Sequence, residues 1–167
     1  MQLDSLNDLN AGDAAAAFLK CCGSSVFVKK MVEARPFRSK VELLSAADSI
    51  WKSCSAEDGL EAFKHHPKIG DLKSLENKFA GTRVWAGGEQ AGVNKAEMNT
   101  IKALAEVNEI YEKKFGYIFI VCATGKTAEE MLALLNARLE NDAEMEIKIA
   151  MKEQNKITLL RIEKMLS

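Results

Sequence analysis

The sequence predicts an all-α fold, and three observations support this prediction. Helix-capping residues recur along the chain, apolar residues follow them at spacings of three and four, and only two prolines interrupt the 167 residues. The composition, 47% apolar and 28% charged without repeats or low-complexity linkers, fits one domain over residues 1–167. We therefore expect a single-domain bundle of about eight helices with a short, buried extended connector near residues 117–123.

Two short helices are expected before the first proline. Asp13 can cap a helix that ends before Gly23, and Ser24 or Ser25 can open the next one. This second helix should end ahead of Pro36, because the residue before a proline avoids the α region.

Two serine-led patterns predict the next pair of helices. Ser39 with Glu42 and Ser55 with Asp58 both have the spacing of a capping box, and Pro67 ends the second helix. The first of these helices, opened by Ser39, carries a row of residues three or four positions apart. They are Val41, Leu44, Ala47 or Asp48, and Trp51.

The helical pattern weakens between residues 67 and 94, where only Leu72–Phe79 reads as a helix. A long helix then starts near Asn94 and ends before Gly116, Thr127 with Glu130 opens another, and residues 142–166 form a long final one. Six residues mark one face of the helix that starts near Asn94: Ile101, Leu104, Ala105, Asn108, Tyr111 and Phe115.

The run from Tyr117 to Ala123 is β-like in composition but has no second strand to pair with. A buried extended connector therefore fits the run as well as a strand does.

Charge and cysteine content narrow the classes of function. Lysine plus arginine (23) nearly balance aspartate plus glutamate (24), which disfavours nucleic acid and anionic lipid as partners and favours a small molecule or a protein. The chain has no apolar run long enough for a bilayer, and its start lacks a basic and apolar leader. Four cysteines without a CxxC pair indicate reduced thiols, so we expect a cytoplasmic protein.

The two histidines of the chain are adjacent and precede Pro67. Neighbouring helical residues point about 100° apart, so His65 and His66 are poorly placed to chelate one metal ion. The proline frees His66 from the helical stack, and an imidazole held there can exchange a proton near neutral pH. The alternative is a surface histidine beside a helix end.

A second candidate site is the glycine-rich stretch that leads to Glu89 and Gln90. Gly87 and Gly88 let the backbone approach a ligand, while the carboxylate and the carboxamide can bind the N–H and C=O edges of a ureide. The alternative is a glycine-rich turn with an exposed Glu-Gln pair that opens a helix.

Two further candidates can bind polar ligand groups. Unpaired backbone groups of Phe119–Ala123 must find hydrogen bonds if they are buried, and a flat, amide-rich ligand would supply them, as would water or a helix end. Arg161 can bind a carboxylate with two hydrogen bonds, although arginine more often covers an exposed helix face.

Ordered motifs along almost the whole chain resemble those of the OHCU (2-oxo-4-hydroxy-4-carboxy-5-ureidoimidazoline) decarboxylase family. No single motif is specific, but their order and spacing make a chance match improbable. The motifs are Arg35-Pro36-Phe37, Trp51, His66-Pro67-x-Ile69-Gly70, Glu89-Gln90-Ala91-Gly92, Tyr111-x-x-Lys114-Phe115-Gly116-Tyr117-x-Phe119-Ile120 and Leu134-x-x-x-Arg138-Leu139-x-Asn141.

The resemblance implies a helical domain, usually a homodimer, that acts without metal or organic cofactor. It makes His66 and Glu89 catalytic. It implies that substrate is bound by Pro67, Gly87, Gly88, Gln90, Phe119, Ile120, Val121, Cys122, Ala123 and Arg161. The sequence departs from one common version of the family's pattern at Lys68-Ile69-Gly70 and at the Trp-Ala-Gly-Gly run before Glu89, which weakens side-chain roles there.

The implied reaction is decarboxylation of a ureidoimidazoline to (S)-allantoin in urate degradation. The electrons left by carbon dioxide can pass to a neighbouring carbonyl, so the chemistry needs no cofactor as an electron sink. The alternatives are a non-catalytic helical module that binds a purine-like or ureide-like ligand, and a helical interaction protein.

Overall fold

The computed structural model describes the backbone of residues 1–66 and 90–167 and the side chains of residues 1–66 and 97–167. These residues form eight helices and no strand, which confirms the all-α prediction. None of the described helices is both long and apolar enough to cross a bilayer. The helices are α1 (Leu3–Asp8), α2 (Ala11–Cys21), α3 (Ser25–Glu33), α4 (Lys40–Lys52), α5 (Ala56–Lys64), α6 (Gln90–Phe115), α7 (Ala128–Leu139) and α8 (Ala143–Met165).

The chain divides into two compact units. The first comprises Met1–His66, Ile120–Cys122 and Ile147–Ser167, and the second comprises Pro67–Phe119 and Ala123–Glu146. Helix α8 therefore contributes its first turn to the second unit and the rest of its length to the first. The single domain over residues 1–167 stays a prediction.

The core of the first unit is built from α1 to α5 and the later turns of α8. Trp51 extends from α4 to donate its indole N–H to the Met151 carbonyl at 2.8 Å, which ties α4 to α8. Burying the large apolar side chains of this core stabilises the unit by roughly 1.5–3 kcal/mol each. The buried residues include Leu6, Phe18, Phe27, Met31, Phe37, Leu43, Trp51, Ala62 and Ile162.

Helix α1 was not predicted, and the Arg35–Phe37 motif holds it in place. The Arg35 guanidinium donates to the carbonyls of Leu6 and Leu9 at 2.8 Å, at the end of α1. Asn7 and the backbone of Phe37 exchange two hydrogen bonds of 2.8 and 2.9 Å. A short helix that is marginal alone is thus fixed by groups about thirty residues away in the chain.

Most predicted helix starts are confirmed by their caps. Ser24 accepts from the Phe27 N–H at 3.2 Å. Reciprocal capping boxes open α5, at Ser55 and Asp58, and α7, at Thr127 and Glu130. Each cap satisfies backbone donors that the first turn of a helix leaves unpaired.

The prediction for the start of α2 is wrong. The capping residue is Asn10, whose Oδ1 accepts from the Asp13 N–H at 2.9 Å, and Asp13 lies inside the first turn. The Asp13 carboxylate instead accepts from Asn10 Nδ2 at 2.7 Å. Both residue types favour the cap, and the chain uses the earlier one.

The predicted capping box at Ser39 forms only by half. Ser39 accepts from the Glu42 N–H at 3.1 Å, but the Glu42 carboxylate accepts from the Arg38 N–H at 2.6 Å instead of from Ser39. Of the residues predicted at helical spacing on α4, Val41 is exposed. The buried stripe runs at spacings of four through Leu43, Ala47 and Trp51.

Helix α6 begins at Gln90, four residues before the predicted start, and Gly116 ends it at a φ of +80° that favours glycine. The predicted helix Leu72–Phe79 lies outside the described residues. On the predicted face of α6, four residues are buried and two are half-buried. They are Ile101, Leu104, Asn108 and Tyr111, and Ala105 and Phe115.

A buried carboxylate organises the second unit. Glu146, at 0% exposure, accepts hydrogen bonds from the Tyr111 hydroxyl, from Arg138 Nε at 2.7 Å and from Asn141 Nδ2 at 2.9 Å. The Arg138 guanidinium also lies over the Phe119 ring at 4.6 Å. Burial and the bond to Glu146 raise the pKa of the Tyr111 hydroxyl, which therefore stays a proton donor.

Lys114 has a structural contact as well. Its ammonium donates to the carbonyls of Leu139 and Asn141 at 2.5 and 2.9 Å, where α7 ends and leaves acceptors unpaired.

The predicted connector is confirmed. Residues 118–123 carry neither helix nor strand, and Phe119 to Cys122 are at most 9% exposed. The segment joins α6 to α7, and Tyr111 packs its ring edge-on against Phe119 at 5.3 Å.

Replacing Glu146 with alanine should lower the free energy of unfolding by about 3–5 kcal/mol, because the buried Arg138 would lose the carboxylate that pairs with it. Urea denaturation followed by circular dichroism measures the loss.

The matched control is Glu33→Ala on α3. Glu33 pairs with Lys29 at 4.0 Å with most of both side chains in solvent, so its loss should cost at most about 0.5 kcal/mol. Equal losses for the two variants would contradict the role assigned to Glu146.

Candidate functional site

The two histidines at the end of α5 have different environments. The His65 and His66 N–H groups donate to the carbonyls of Ala62 and Phe63 at 3.1 and 3.2 Å, which tightens the last turn. His65 is exposed, but its ring lies so close to Gly23 that a Cβ at residue 23 would overlap it. His66 is half-buried, so the two imidazoles differ in their exposure to solvent.

His66 is held by a glutamine that the sequence analysis did not identify. Its Nε2 lies 2.6 Å from Gln154 Oε1, and Gln154 Nε2 donates to Thr158 Oγ1 at 3.1 Å. Both Gln154 and Thr158 are completely buried. The ring is thereby tied to α8, 88 residues further along the chain.

These two polar residues lie within the buried face of α8. Gln154 and Thr158 continue the spacing of four that runs from Ala150 to Ile162, and all four residues have 0% exposure. Two polar residues in an otherwise apolar register predict a buried hydrogen-bond network. This signal was present in the sequence, but the spacing alone could not name His66 as the partner.

Arg161 lies seven residues after Gln154, two helical turns along the same side of α8. Its Nη1 donates to the Cys21 carbonyl at a long 3.4 Å, which leaves most of the guanidinium's donors for other partners. Its charge also acts on His66, so the two predicted site residues share one electrostatic environment.

The environment holds the pKa of His66 below its usual value of 6.5. Burial is the largest cause, and the charges of Arg161 and His65 add to it, while the hydrogen bond to Gln154 opposes them. His66 is therefore a neutral imidazole at neutral pH, able to accept a proton through one ring nitrogen.

Part of the connector is also bound to α8. The Cys122 N–H donates to the Glu153 carboxylate at 2.7 Å, and the Ala123 carbonyl accepts from the Lys126 N–H at 3.1 Å. These two groups are used within the protein. Ligand binding by the backbone of Phe119, Ile120 and Val121, which are buried, stays a prediction.

The remaining predicted site residues lie wholly or partly beyond the described residues. Pro67, Gly87, Gly88 and Glu89 fall outside them, and Gln90 begins α6 with its side chain outside them. Their roles stay predictions. Among the residues whose side chains are described, no cluster of histidine, cysteine, aspartate or glutamate could hold a metal ion.

Within the first unit the structure thus brings together three features. The neutral imidazole of His66 is fixed by the buried amide of Gln154, and the charge of Arg161 acts on the same ring. The backbone of the connector is bound to α8, the helix that also carries Gln154 and Arg161. This arrangement can exchange a proton with a ligand and bind a negatively charged oxygen.

The chain is similar to known proteins of one family. The family model for OHCU decarboxylase matches residues 7–163. A uric acid degradation bifunctional protein of Arabidopsis thaliana, TTL, is 40% identical over 149 residues, which are 88% of this chain and 45% of that protein. The OHCU decarboxylase of Haloferax volcanii is 24% identical over 97% of this chain and 94% of its own length.

The chain spans less than half of the first relatives it matches: 45% of the Arabidopsis protein and 27% of the bifunctional protein PucL of Bacillus subtilis. A crystal structure of OHCU decarboxylase in the presence of (S)-allantoin superposes with a TM-score of 0.72 at 38% identity, covering 89% of this chain and 96% of that one. Sequence and fold agree along almost the full length, and the chain belongs to the OHCU decarboxylase family.

Proposed function

We propose that this protein decarboxylates 2-oxo-4-hydroxy-4-carboxy-5-ureidoimidazoline to (S)-allantoin, a step of urate degradation. The observation that carries the proposal is the state of His66. The histidine at the family's catalytic position is neutral, half-buried and fixed by a buried amide, as a proton-transfer residue requires.

The reaction needs electron delocalisation and proton control more than it needs a nucleophile. When the carbon–carbon bond to the carboxylate breaks, its electron pair passes into the unsaturated ring, and one proton is added for each carbon dioxide released. A protein that holds the ring in one orientation adds this proton on one face. A single enantiomer of allantoin results.

In this mechanism His66 exchanges the proton of the substrate hydroxyl. Arg161 donates hydrogen bonds to carboxylate or carbonyl oxygens, and its fixed positive charge stabilises the electrons that build up on the ring. Glu89 works with His66, and Gln90 holds the ureido group. Pro67, Gly87 and Gly88 shape the pocket, and the connector from Phe119 to Ala123 lines it.

We further propose that the active form is a homodimer in the cytoplasm and that residues 1–167 act as one catalytic domain. The family resemblance supports the dimer, and the composition supports the compartment. The proposed reaction uses no metal or organic cofactor, because the substrate ring itself accepts the electrons.

Replacing His66 with asparagine should abolish enantioselective turnover. A lost general base or acid typically costs about 10²–10⁴-fold in rate, and the spontaneous reaction then dominates. Because uncatalysed decarboxylation gives racemic allantoin, circular dichroism of the product formed from urate by the upstream enzymes is the sensitive measurement.

The control is His65→Asn, which removes the neighbouring exposed imidazole and should keep the (S)-product. The His66 variant also leaves the buried Gln154 Oε1 unpaired, at a cost of about 1–3 kcal/mol, so its fold is checked by thermal unfolding. Optically active product from a folded His66→Asn protein would refute the proposal.

The rate should stay constant from neutral pH downward until the pH falls below 6.5. Burial, Arg161 and His65 keep His66 neutral through this range, and activity is lost only when the ring is protonated at its lowered pKa. Initial rates on freshly generated substrate give the profile. An acid limb centred above pH 6.5 would contradict the assignment.

Replacing Arg161 with glutamine should change two quantities together. The KM should rise because a cationic donor to the substrate is lost, and the acid limb should move to higher pH because the guanidinium no longer disfavours imidazolium. Lys164→Gln, an exposed cation one turn later on α8, serves as the control and should change neither. An unchanged KM and pH profile would remove Arg161 from the site.

A further inference from the structure

A one-directional series of hydrogen bonds begins at His66. Gln154 Nε2 faces Thr158 Oγ1, so the amide oxygen is the atom that faces the ring. Thr158 in turn hydrogen-bonds to the Cys22 thiol, which burial keeps protonated with a pKa near 11. Thr158 Oγ1 accepts from the amide nitrogen at 3.1 Å, which turns the amide oxygen toward the ring.

The direction of this series decides which nitrogen of His66 carries the proton. An amide oxygen can only accept, so Nε2 at 2.6 Å from it must be the N–H nitrogen. A neutral imidazole has one N–H, and Nδ1 therefore keeps its lone pair. Among the described residues, no hydrogen-bond partner is found for Nδ1.

We propose that Gln154 is a positioning residue that holds His66 in its Nε2–H form, so that Nδ1 is the atom that exchanges a proton with the substrate. The inference rests on the proposed function for its catalytic meaning. In the transfer, the substrate O–H bond breaks with its electron pair left on oxygen, and Nδ1 binds the proton to give an imidazolium that still donates to Gln154.

The tautomer can be measured without any turnover. Two-bond ¹H–¹⁵N correlation spectra of the ¹⁵N-labelled full chain, recorded above the pKa of His66, separate protonated from unprotonated ring nitrogens. The chain has only two histidines, so His65→Asn assigns the signals. A protonated Nε2 in His66 supports the proposal, and a protonated Nδ1 overturns it.

Two substitutions at residue 154 should move activity in different ways. Gln154→Leu removes the acceptor, so kcat should fall about 10- to 100-fold, part of the effect of a general base, with little change in KM. Its acid limb should move to lower pH, because the bond to Gln154 had raised the pKa of His66.

Gln154→Glu keeps an acceptor and adds a negative charge that favours imidazolium. It should retain the Nε2–H form, move the acid limb to higher pH and recover most of kcat above that limb. Thr158→Val should weaken the tautomer preference, since the amide is then free to turn over. If Gln154 only filled space, Gln154→Leu would not move the acid limb.

Lys152→Ala, an exposed position on the same helix, is the control and should leave rate and spectrum unchanged. Full kcat in Gln154→Leu would overturn the role of Gln154 and leave the proposed function intact. Enantioselective turnover by His66→Asn would instead refute the proposed function, whatever the tautomer of the wild-type ring.

Discussion

A buried amide on α8 is the constraint on which the proposed site depends. Gln154 has no access to solvent, so its oxygen and nitrogen must find partners within the protein. It finds them in His66 and Thr158, and these contacts fix the rotation of α8 about its axis. With that rotation set, Glu153 meets the connector and Arg161 acts on the imidazole. The need of a buried amide for hydrogen-bond partners thus sets the positions of His66, Glu153 and Arg161 in the first unit.

The sequence predicted the local structure well, because helix ends are decided by neighbouring residues. Ser24 and the box at Ser55 act within one turn, and short-range patterns are sufficient to locate them. Prediction failed where two choices were locally equivalent, as at Asn10 and Asp13, or where burial decided, as at Val41. The partners of His66 could not be predicted, because contacts between distant segments depend on the folded arrangement and not on spacing along the chain.

Several residues that carry the family resemblance prove to be structural. Arg35 binds the end of α1, Lys114 binds the end of α7, and Arg138 neutralises Glu146 inside the second unit. They share the role of binding carbonyls at helix ends or a buried carboxylate. A motif can therefore identify a family through residues that stabilise its fold, while Gln154, beside the proposed catalytic group, belonged to no recognised motif.

The contact between Gly23 and His65 extends the proposed site to a distant part of the chain. The loop from α2 to α3 occupies the space against which the end of α5 rests, and only a hydrogen atom fits there. A larger group at residue 23 would collide with the Cβ and the ring of His65, the residue next to the proposed catalytic imidazole. Efforts to evolve or redesign the proposed activity should therefore treat a glycine 43 residues upstream of His66 as part of the proposed site.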